Sequence, residues 1–303
     1  MELQQLNYLN LSSNSFQGRG IPEFLGSLTN LRYLDLSFSH FGGKIPTQFG
    51  SLSHLKYLNL AGNYYLEGSI PRQLGNLSQL QHLDLRANQF EGNIPSQIGN
   101  LSQLQHLDLS YNSFEGSIPS QLGNLSNLQK LYLGGRALKI DDGDHWLSNL
   151  ISLTHLSFDS ISNLNTSHSF LQMIAKLPKL RELSLIHCSL SDHFILSLRP
   201  SKFNFSSSLS VLDLSWNSFT SSMILQWLSN VTSNLVELDL SHNLLEGSTS
   251  NHFGRVMNSL EHLDLSYNIF KGEDLKSFAN ICTLHSLYMP ANLLTEDLPS
   301  ILP

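Results

Sequence analysis

The sequence predicts an α/β solenoid: a right-handed superhelix bent into a horseshoe or arc, with a parallel β-sheet on its concave face and short 3₁₀ or helical turns and loops on its convex face. Three observations predict it. Nine-residue stretches recur almost unchanged: LQHLDLRAN at 80–88, LQHLDLSYN at 104–112 and LEHLDLSYN at 260–268. The pattern L-x-x-L-x-L-x-x-N occurs in twelve copies, whose first leucines are Leu6, Leu31, Leu55, Leu80, Leu104, Leu128, Leu153, Leu180, Leu209, Leu235, Leu260 and Leu284. Successive copies lie 24–29 residues apart. A fixed period in the twenties marks a stack of like units, and unrelated amphipathic helices would not keep twelve copies in phase.

Each part of one copy has a physical assignment. In L-x-x-L-x-L the last two leucines alternate with period two, so the stretch is a short strand with one buried face. Leu107 and Leu109 point inward, whereas His106, Asp108 and Ser110 point outward. One such strand cannot bury its leucines alone; stacked on its neighbours it joins a sheet with a continuous core. The closing position holds Asn14, Asn63, Asn88, Asn112, Asn217, Asn243, Asn268 and Asn292. There the chain turns off the strand and backbone groups lose their sheet partners, which an inward amide with two donors and an acceptor can replace. Ser39, Arg136, Ile161 and Cys188 stand in the other copies. Cysteine is a small buried substitute, whereas Arg136 and Ile161 cannot continue the ladder, so the stack is expected to be irregular over 134–210.

The second half of each copy reads FEGNIPSQIGNLSQL at 90–104 and FEGSIPSQLGNLSNL at 114–128, with close variants at 41–55 and 66–80. Gly92 and Gly116 are expected at positive φ. Ile94 and Ile118 precede proline and are extended. Proline lacks an N–H and suits an edge or turn position. S-Q-L-G-N-L is read as a short helical or 3₁₀ turn ended by its glycine.

This L/F-x-G-x-I-P-x-x-L/I/F-G-x-L form resembles the plant-type leucine-rich repeat. It is strong in the first five copies and fades to fragments such as Leu245-Glu246-Gly247 and Leu298-Pro299, while the general repeat covers essentially the whole chain. The family includes ectodomains of receptor-like kinases and receptor-like proteins, and polygalacturonase-inhibiting proteins; the mixture of regular and degenerate copies is most similar to receptor-like proteins. The resemblance implies a non-catalytic module that recognises a peptide or protein ligand, a co-receptor or both, in defence or developmental signalling. It places the parent protein, anchored in the membrane, at the extracellular face of the plasma membrane or in the cell wall. The alternative is an inhibitor of cell-wall enzymes of the polygalacturonase-inhibiting type, which twelve copies fit less well than about ten.

The chain has 303 residues, a formal net charge of −7 and a pI near 6.0. Without a basic run, nucleic acid is not an expected partner. No stretch of about 20 apolar residues exists to span a membrane, and the start, MELQQLNYLNLSSN, shows no signal peptide. The chain reads as one repeat domain over 1–303 without caps, and hence as a segment of a longer receptor or a truncated gene product. Cys188 and Cys282 are read as structural or incidental thiols. Of seven N-x-S/T sites, Asn76, Asn100, Asn124, Asn165, Asn204 and Asn230 are expected to carry glycans; Asn10, on the outer strand face, is not.

Catalytic motifs are missing. There is no G-x-S-x-G, H-E-x-x-H or P-loop, and none of the kinase signatures, so no enzyme activity and no cofactor are expected. His82, His106, His155 and His262 share one strand column; we read them as solvated residues at a tolerant position rather than as metal ligands or pH sensors, and expect no metal. The acidic loop IDDGDHW at 140–146 lacks EF-hand spacing. Asp35, Asp84, Asp108, Asp213, Asp239 and Asp264 fill the middle of L-x-L as an acidic stripe. The candidate ligand-binding surface is the outward strand face: Tyr33, Phe38, Tyr57, His82, Asp84, Arg86, His106, Asp108, Tyr111, Tyr132, Trp216, His242, His262 and Tyr267, with Tyr288 in a neighbouring column. Exposed aromatic residues on a rigid sheet are good interface anchors.

Overall fold

The computed structural model describes residues 3–135, 137–141, 145–167, 170–196, 207–221, 223–231, 234–247, 251–275 and 278–295. The chain divides into two compact units, Met1–Ile161 and Ser162–Pro303. The division falls inside 134–210, where the closing asparagine is lost from consecutive copies. Arg136, one of those departures, lies outside the described residues, as do Asp142 and Asp144 of the acidic loop.

In the first unit the strands Tyr8–Asn10, Tyr33–Asp35, Tyr57–Asn59, His82–Asp84, His106–Asp108, Lys130–Gly134 and His155–Asp159 are parallel neighbours. Their register aligns like with like: Tyr8, Tyr33, Tyr57, His82, His106, Lys130 and His155 form one column. Leu34, Leu58, Leu83, Leu107 and Leu131 point inward and are fully buried. A one-residue slip would turn this whole set to solvent, so the leucines fix the register.

A second parallel sheet in the same unit was not expected. Gly42–Gly43, Tyr65–Gly68, Gln89–Gly92, Ser113–Ser117 and Ala137–Lys139 pair in sequence order. Three of them, Tyr65–Gly68, Gln89–Gly92 and Ser113–Ser117, are built from the L/F-E-G segments read above as turns. The turn reading holds for the glycines themselves, since Gly92 and Gly116 have φ of 75° and 78°. The residues before them are nevertheless extended, with Phe90 and Phe114 buried under the sheet.

Each repeat then closes through a five-residue 3₁₀ helix: Glu23–Ser27, Thr47–Ser51, Arg72–Asn76, Ser96–Asn100 and Ser120–Asn124. Each is preceded by proline with φ near −65°, preset for the turn. The glycine of this segment does not end the helix, as the sequence had suggested. It is the fourth residue inside it. A Cβ on Gly26 or Gly75 would fall 2.5 Å from the carbonyl oxygen of Gln48 or Gln97 in the following repeat. Glycine is required because neighbouring 3₁₀ turns touch backbone to backbone.

The closing asparagines form the expected ladder. Asn63 Nδ2–H donates to the carbonyls of Leu60 in its own turn and Leu36 in the preceding one, both at 2.9 Å. Its Oδ1 accepts the N–H groups of Ser39 and Phe41, both at 3.0 Å. Asn88 repeats the donor pattern, giving to Leu60 and Leu85. Ser39 serves as a shorter rung, with its hydroxyl bonded to Leu11 O and accepting Asn14 N–H.

In the second unit, parallel strands Glu182–Ile186, Val211–Asp213, Glu237–Asp239, His262–Asp264 and Ser286–Tyr288 again pair in register. The I-P-x-x-L-G segment has faded there. Short α-helices, among them Asp192–Leu196, Met223–Val231 and Asn251–Val256, take the return path in its place. The helix Met223–Val231 holds no Pro or Gly and buries Ile224, Leu225, Trp227 and Leu228. Asn217 Oδ1 accepts the N–H groups of Cys188 and Leu190, so the buried thiol of Cys188 replaces an amide while the rung from below persists.

Asn63→Ala strands the buried N–H groups of Ser39 and Phe41 and the carbonyl of Leu36, while Leu60 O keeps its bond from Asn88; it is expected to lower stability by about 2–3 kcal/mol in urea denaturation. Gly75→Ala, a smaller chemical change, is expected to cost about 1–3 kcal/mol through backbone overlap with Gln97.

Candidate functional site

The outward strand face of the first unit carries a continuous stack of rings. Tyr8, Tyr33, Tyr57, His82 and His106 follow one another at centroid separations of 4.2–4.3 Å with interplanar angles of 6–13°. Strand spacing in a sheet sets this distance, because in-register strands put equivalent side chains one strand apart. Tyr132 closes the run at 5.7 Å and 46° from His106. Tyr8, which is outside the set expected from the sequence, belongs to this column.

Beside the rings, the aspartates hold the strand ends. The Oδ1 atoms of Asp35, Asp84 and Asp108 accept the backbone N–H of Ser37, Arg86 and Ser110, each at 3.0 Å. All three carboxylates are buried. Asp213, Asp239 and Asp264 repeat the contact with Ser215, Ser241 and Ser266. Much of the acidic stripe therefore shapes the turn through the Oδ1 of each carboxylate. Arg86 lies across two of them, its Nε 3.5 Å from Asp84 Oδ2 and its Nη1 3.6 Å from Asp108 Oδ2.

Burial sets the protonation of this patch. It lowers His82 to a pKa of about 4, helped by His106, and lowers His106 to about 4, helped by Lys130 and Arg86. It raises Asp84 to about 6, against the backbone bond from Arg86. Burial also raises Tyr33 and Asp213.

The residue before the closing position adopts the left-handed region in most copies: φ is 52–56° at Phe38, Tyr111, Trp216, His242 and Tyr267. Left-handed backbone is uncommon for such bulky residues. Here the asparagine ladder on one side and the strand on the other impose it, and the side chain is thrown outward. Phe38, Tyr111, Trp216 and Tyr267 are about half exposed or more. In the second unit these positions align into a strip. Trp216 and His242 stack at 3.7 Å, His242 and Tyr267 at 4.1 Å, and His187 leans on Trp216 at 5.9 Å. Alongside runs a shallow trough of about 260 Å³ lined by Glu182, Asp213, Glu237, Asp239, Asp264, His262 and Tyr288, with Ser184, Val211 and the strand leucines forming the rest. His262 Nδ1 lies 3.1 Å from Ser286 Oγ.

The site residues expected from the sequence thus fall into two groups. Tyr33, Tyr57, His82, Asp84, Arg86, His106, Asp108 and Tyr132 converge in the first unit, where Phe38 and Tyr111 also stand outward. Trp216, His242, His262 and Tyr267 gather in the second. The sequence reading missed His187, whose copy ends in Cys188 rather than asparagine, and the trough-lining Glu182 and Glu237. Their positions in the repeat were the available signal.

Of the sequons, Asn76, Asn100 and Asn124 are exposed at the last position of three successive 3₁₀ helices. Asn165 is half-buried, with its Oδ1 accepting Ser191 N–H. Asn230 is exposed on a helix. Asn204 lies outside the described residues.

The chain belongs to the leucine-rich-repeat family: the leucine-rich repeat region pattern matches residues 65–300, and shorter leucine-rich-repeat patterns match 29–90 and 5–28. Within that family its relatives are plant receptor-like proteins. It is 40% identical over 261 residues to Receptor-like protein EIX1 of Solanum lycopersicum, covering 85% of this chain and 18% of that protein. The chain therefore spans about a fifth of that relative's length. Among solved structures, a TDR receptor matches with a TM-score of 0.68 at 31% identity, over 96% of this chain and 52% of that one. The ectodomain of the Arabidopsis receptor kinase HAESA, in complex with an IDA peptide hormone ligand, matches with a TM-score of 0.67 at 28% identity, over 95% and 50%.

Between pH 6.5 and 4, His82 and His106 bind fewer protons in the folded chain than in the unfolded one, so their contribution to stability is lost as pH falls. Asp84 acts oppositely between 3.8 and 6, and two imidazoles outweigh one carboxyl. The expected outcome is that His82→Gln/His106→Gln flattens the acid side of the stability–pH curve, and that NMR titration of the wild type finds both rings neutral at pH 6.

Proposed function

We propose that this chain is the ligand-recognition part of a plant cell-surface receptor, binding an extracellular peptide or protein, or a co-receptor, without catalysis. The observation that carries this reading is the aromatic strip His187–Trp216–His242–Tyr267 beside the acidic trough of the second unit. Large, rigid aromatic side chains held at fixed spacing cost little entropy to bury and dominate interface energetics. The carboxylates beside them favour partners with basic groups and steer their approach. The HAESA structure, a family member holding a peptide hormone, supports the reading by likeness. With this function we place the parent protein at the extracellular face of the plasma membrane. Among the described residues no helix is long and apolar enough to cross a membrane, so an anchor would come from elsewhere in the parent. We also propose glycans on Asn76, Asn100 and Asn124, which share one exposed edge away from the strand face.

The test is a binding screen of the secreted parent ectodomain against extracellular peptides, apoplastic proteins and co-receptor ectodomains. A saturable partner is expected. Trp216→Ala and Tyr267→Ala should each weaken its binding by roughly 30-fold or more, as loss of a hot-spot aromatic does. A partner whose affinity ignores both variants, or a screen with no partner, contradicts the reading. Peptide mass spectrometry before and after enzymatic deglycosylation reads out the three sequons, and unmodified asparagines there contradict that part.

A further inference from the structure

We propose that His82, His106 and Asp84 form a binding site for a divalent transition-metal ion of the zinc type. The proposal is independent of the receptor reading. One nitrogen from each histidine and one carboxylate oxygen of Asp84 lie within 4.8 Å of one another, and no other such cluster occurs among the described residues. The Nε2 atoms of both histidines are shielded from solvent and have no hydrogen-bond partner. A buried nitrogen without a partner is costly, and an ion is one of the few things that would satisfy two at once. Imidazole nitrogen and carboxylate oxygen together are the donor set of zinc sites with three protein ligands, which leave a position open for water.

The repeat explains why the cluster occurs once among the described residues. His82 and His106 are consecutive in the column, whereas His155 pairs with Lys130 and His262 with Glu237 and Ser286. Asp84 sits two residues beyond His82 on the same outward face. Its Oδ1 is held by Arg86 N–H, so the ligand would be Oδ2. That oxygen now faces the Arg86 guanidinium at 3.5 Å. The arginine already occupies the place of a cation, and it can keep its contact with Asp108 Oδ2 at 3.6 Å when it yields Asp84. The two imidazoles are parallel, 4.2 Å apart. Ring nitrogens bind metals in the plane of the ring at about 2.0–2.1 Å, so one ring must tilt on binding. His106 has room to do so, because its far neighbour Tyr132 is already inclined by 46° and the stack is broken there.

The experiment titrates the full chain, stripped of metal, with Zn²⁺ alone and with Co²⁺ as a spectroscopic probe. Isothermal calorimetry should give one Zn²⁺ per chain, Co²⁺ should develop visible d–d bands, and the Zn²⁺-induced ¹⁵N shifts should fall on the imidazoles of His82 and His106. His82→Gln/His106→Gln, checked for an unchanged circular dichroism spectrum, should weaken binding by more than the roughly 10–100-fold that loss of an outer-shell partner costs. Asp84→Asn should weaken it as well. Arg86→Gln removes the competing cation and should tighten it. His155→Gln/His262→Gln should leave it unchanged. No saturable binding by the wild type, affinity that survives the His82/His106 double variant, or ¹⁵N shifts on other histidines would each overturn the proposal.

Discussion

A carboxamide buried at the end of each strand is the contact on which the rest of the structure depends. Where the chain leaves the strand, its N–H and C=O groups point toward a core that offers no water. Asn63, Asn88, Asn217, Asn243 and Asn268 each give their Nδ2–H groups to two successive turns. Their oxygens, where the bonds are to the preceding repeat, catch the N–H of the residue that re-enters the core, such as Phe41, Phe219 or Leu245. One side chain thus links backbone to backbone across adjacent repeats. Leucine burial supplies the driving force and sets the strand register; the directional amide bonds fix the turn that follows each strand.

That constraint also builds the recognition surface. Holding the closing side chain inward, whether asparagine, Ser39, Ile161 or Cys188, goes with left-handed backbone at the residue before it, whose side chain is thrown outward. The aspartate in the middle of L-x-L accepts the N–H two residues further on, which this bend would leave unpaired. The same geometry repeated at strand spacing converts a column of equal sequence positions into a row of stacked rings. The outward face is thus a regular lattice with two kinds of column, stacked aromatic and tethered acidic. Variation in what occupies each lattice point gives one copy an indole, another an imidazole and another an alanine, such as Ala87 or Ala291.

Period and polarity made much of this legible in the sequence. The strand leucines, the asparagine ladder, the small substitute Cys188 and the positive-φ glycines follow from residue chemistry at fixed spacing. Three features did not. The F-E-G segments look like turns one repeat at a time, and only pairing with the neighbouring copy makes them a second sheet. The glycine of S-Q-L-G-N-L resembles a helix terminator, and its true role is contact with a backbone some 22 residues further on, which local pattern cannot show. The left-handed φ at Phe38, Tyr111 and Trp216 runs against the preference of bulky residues; Gly62, at φ 66° in the same column, is a hint of it in the sequence. The candidate surface was readable as a column but not as two groups, since the burial of His82, His106 and Asp84 arises from rings and carboxylates of adjacent repeats closing over them.

The most direct test of the ladder is amide hydrogen exchange in Asn243→Ala. Asn243 Oδ1 holds Phe219 N–H, and its Nδ2 holds Leu214 O and Leu240 O. Loss of the amide should strip protection from Phe219 and loosen the bend at Trp216 in the preceding repeat, while strand amides two repeats away keep theirs. Unchanged protection at Phe219 would show that leucine packing alone sets the turn and would contradict the account.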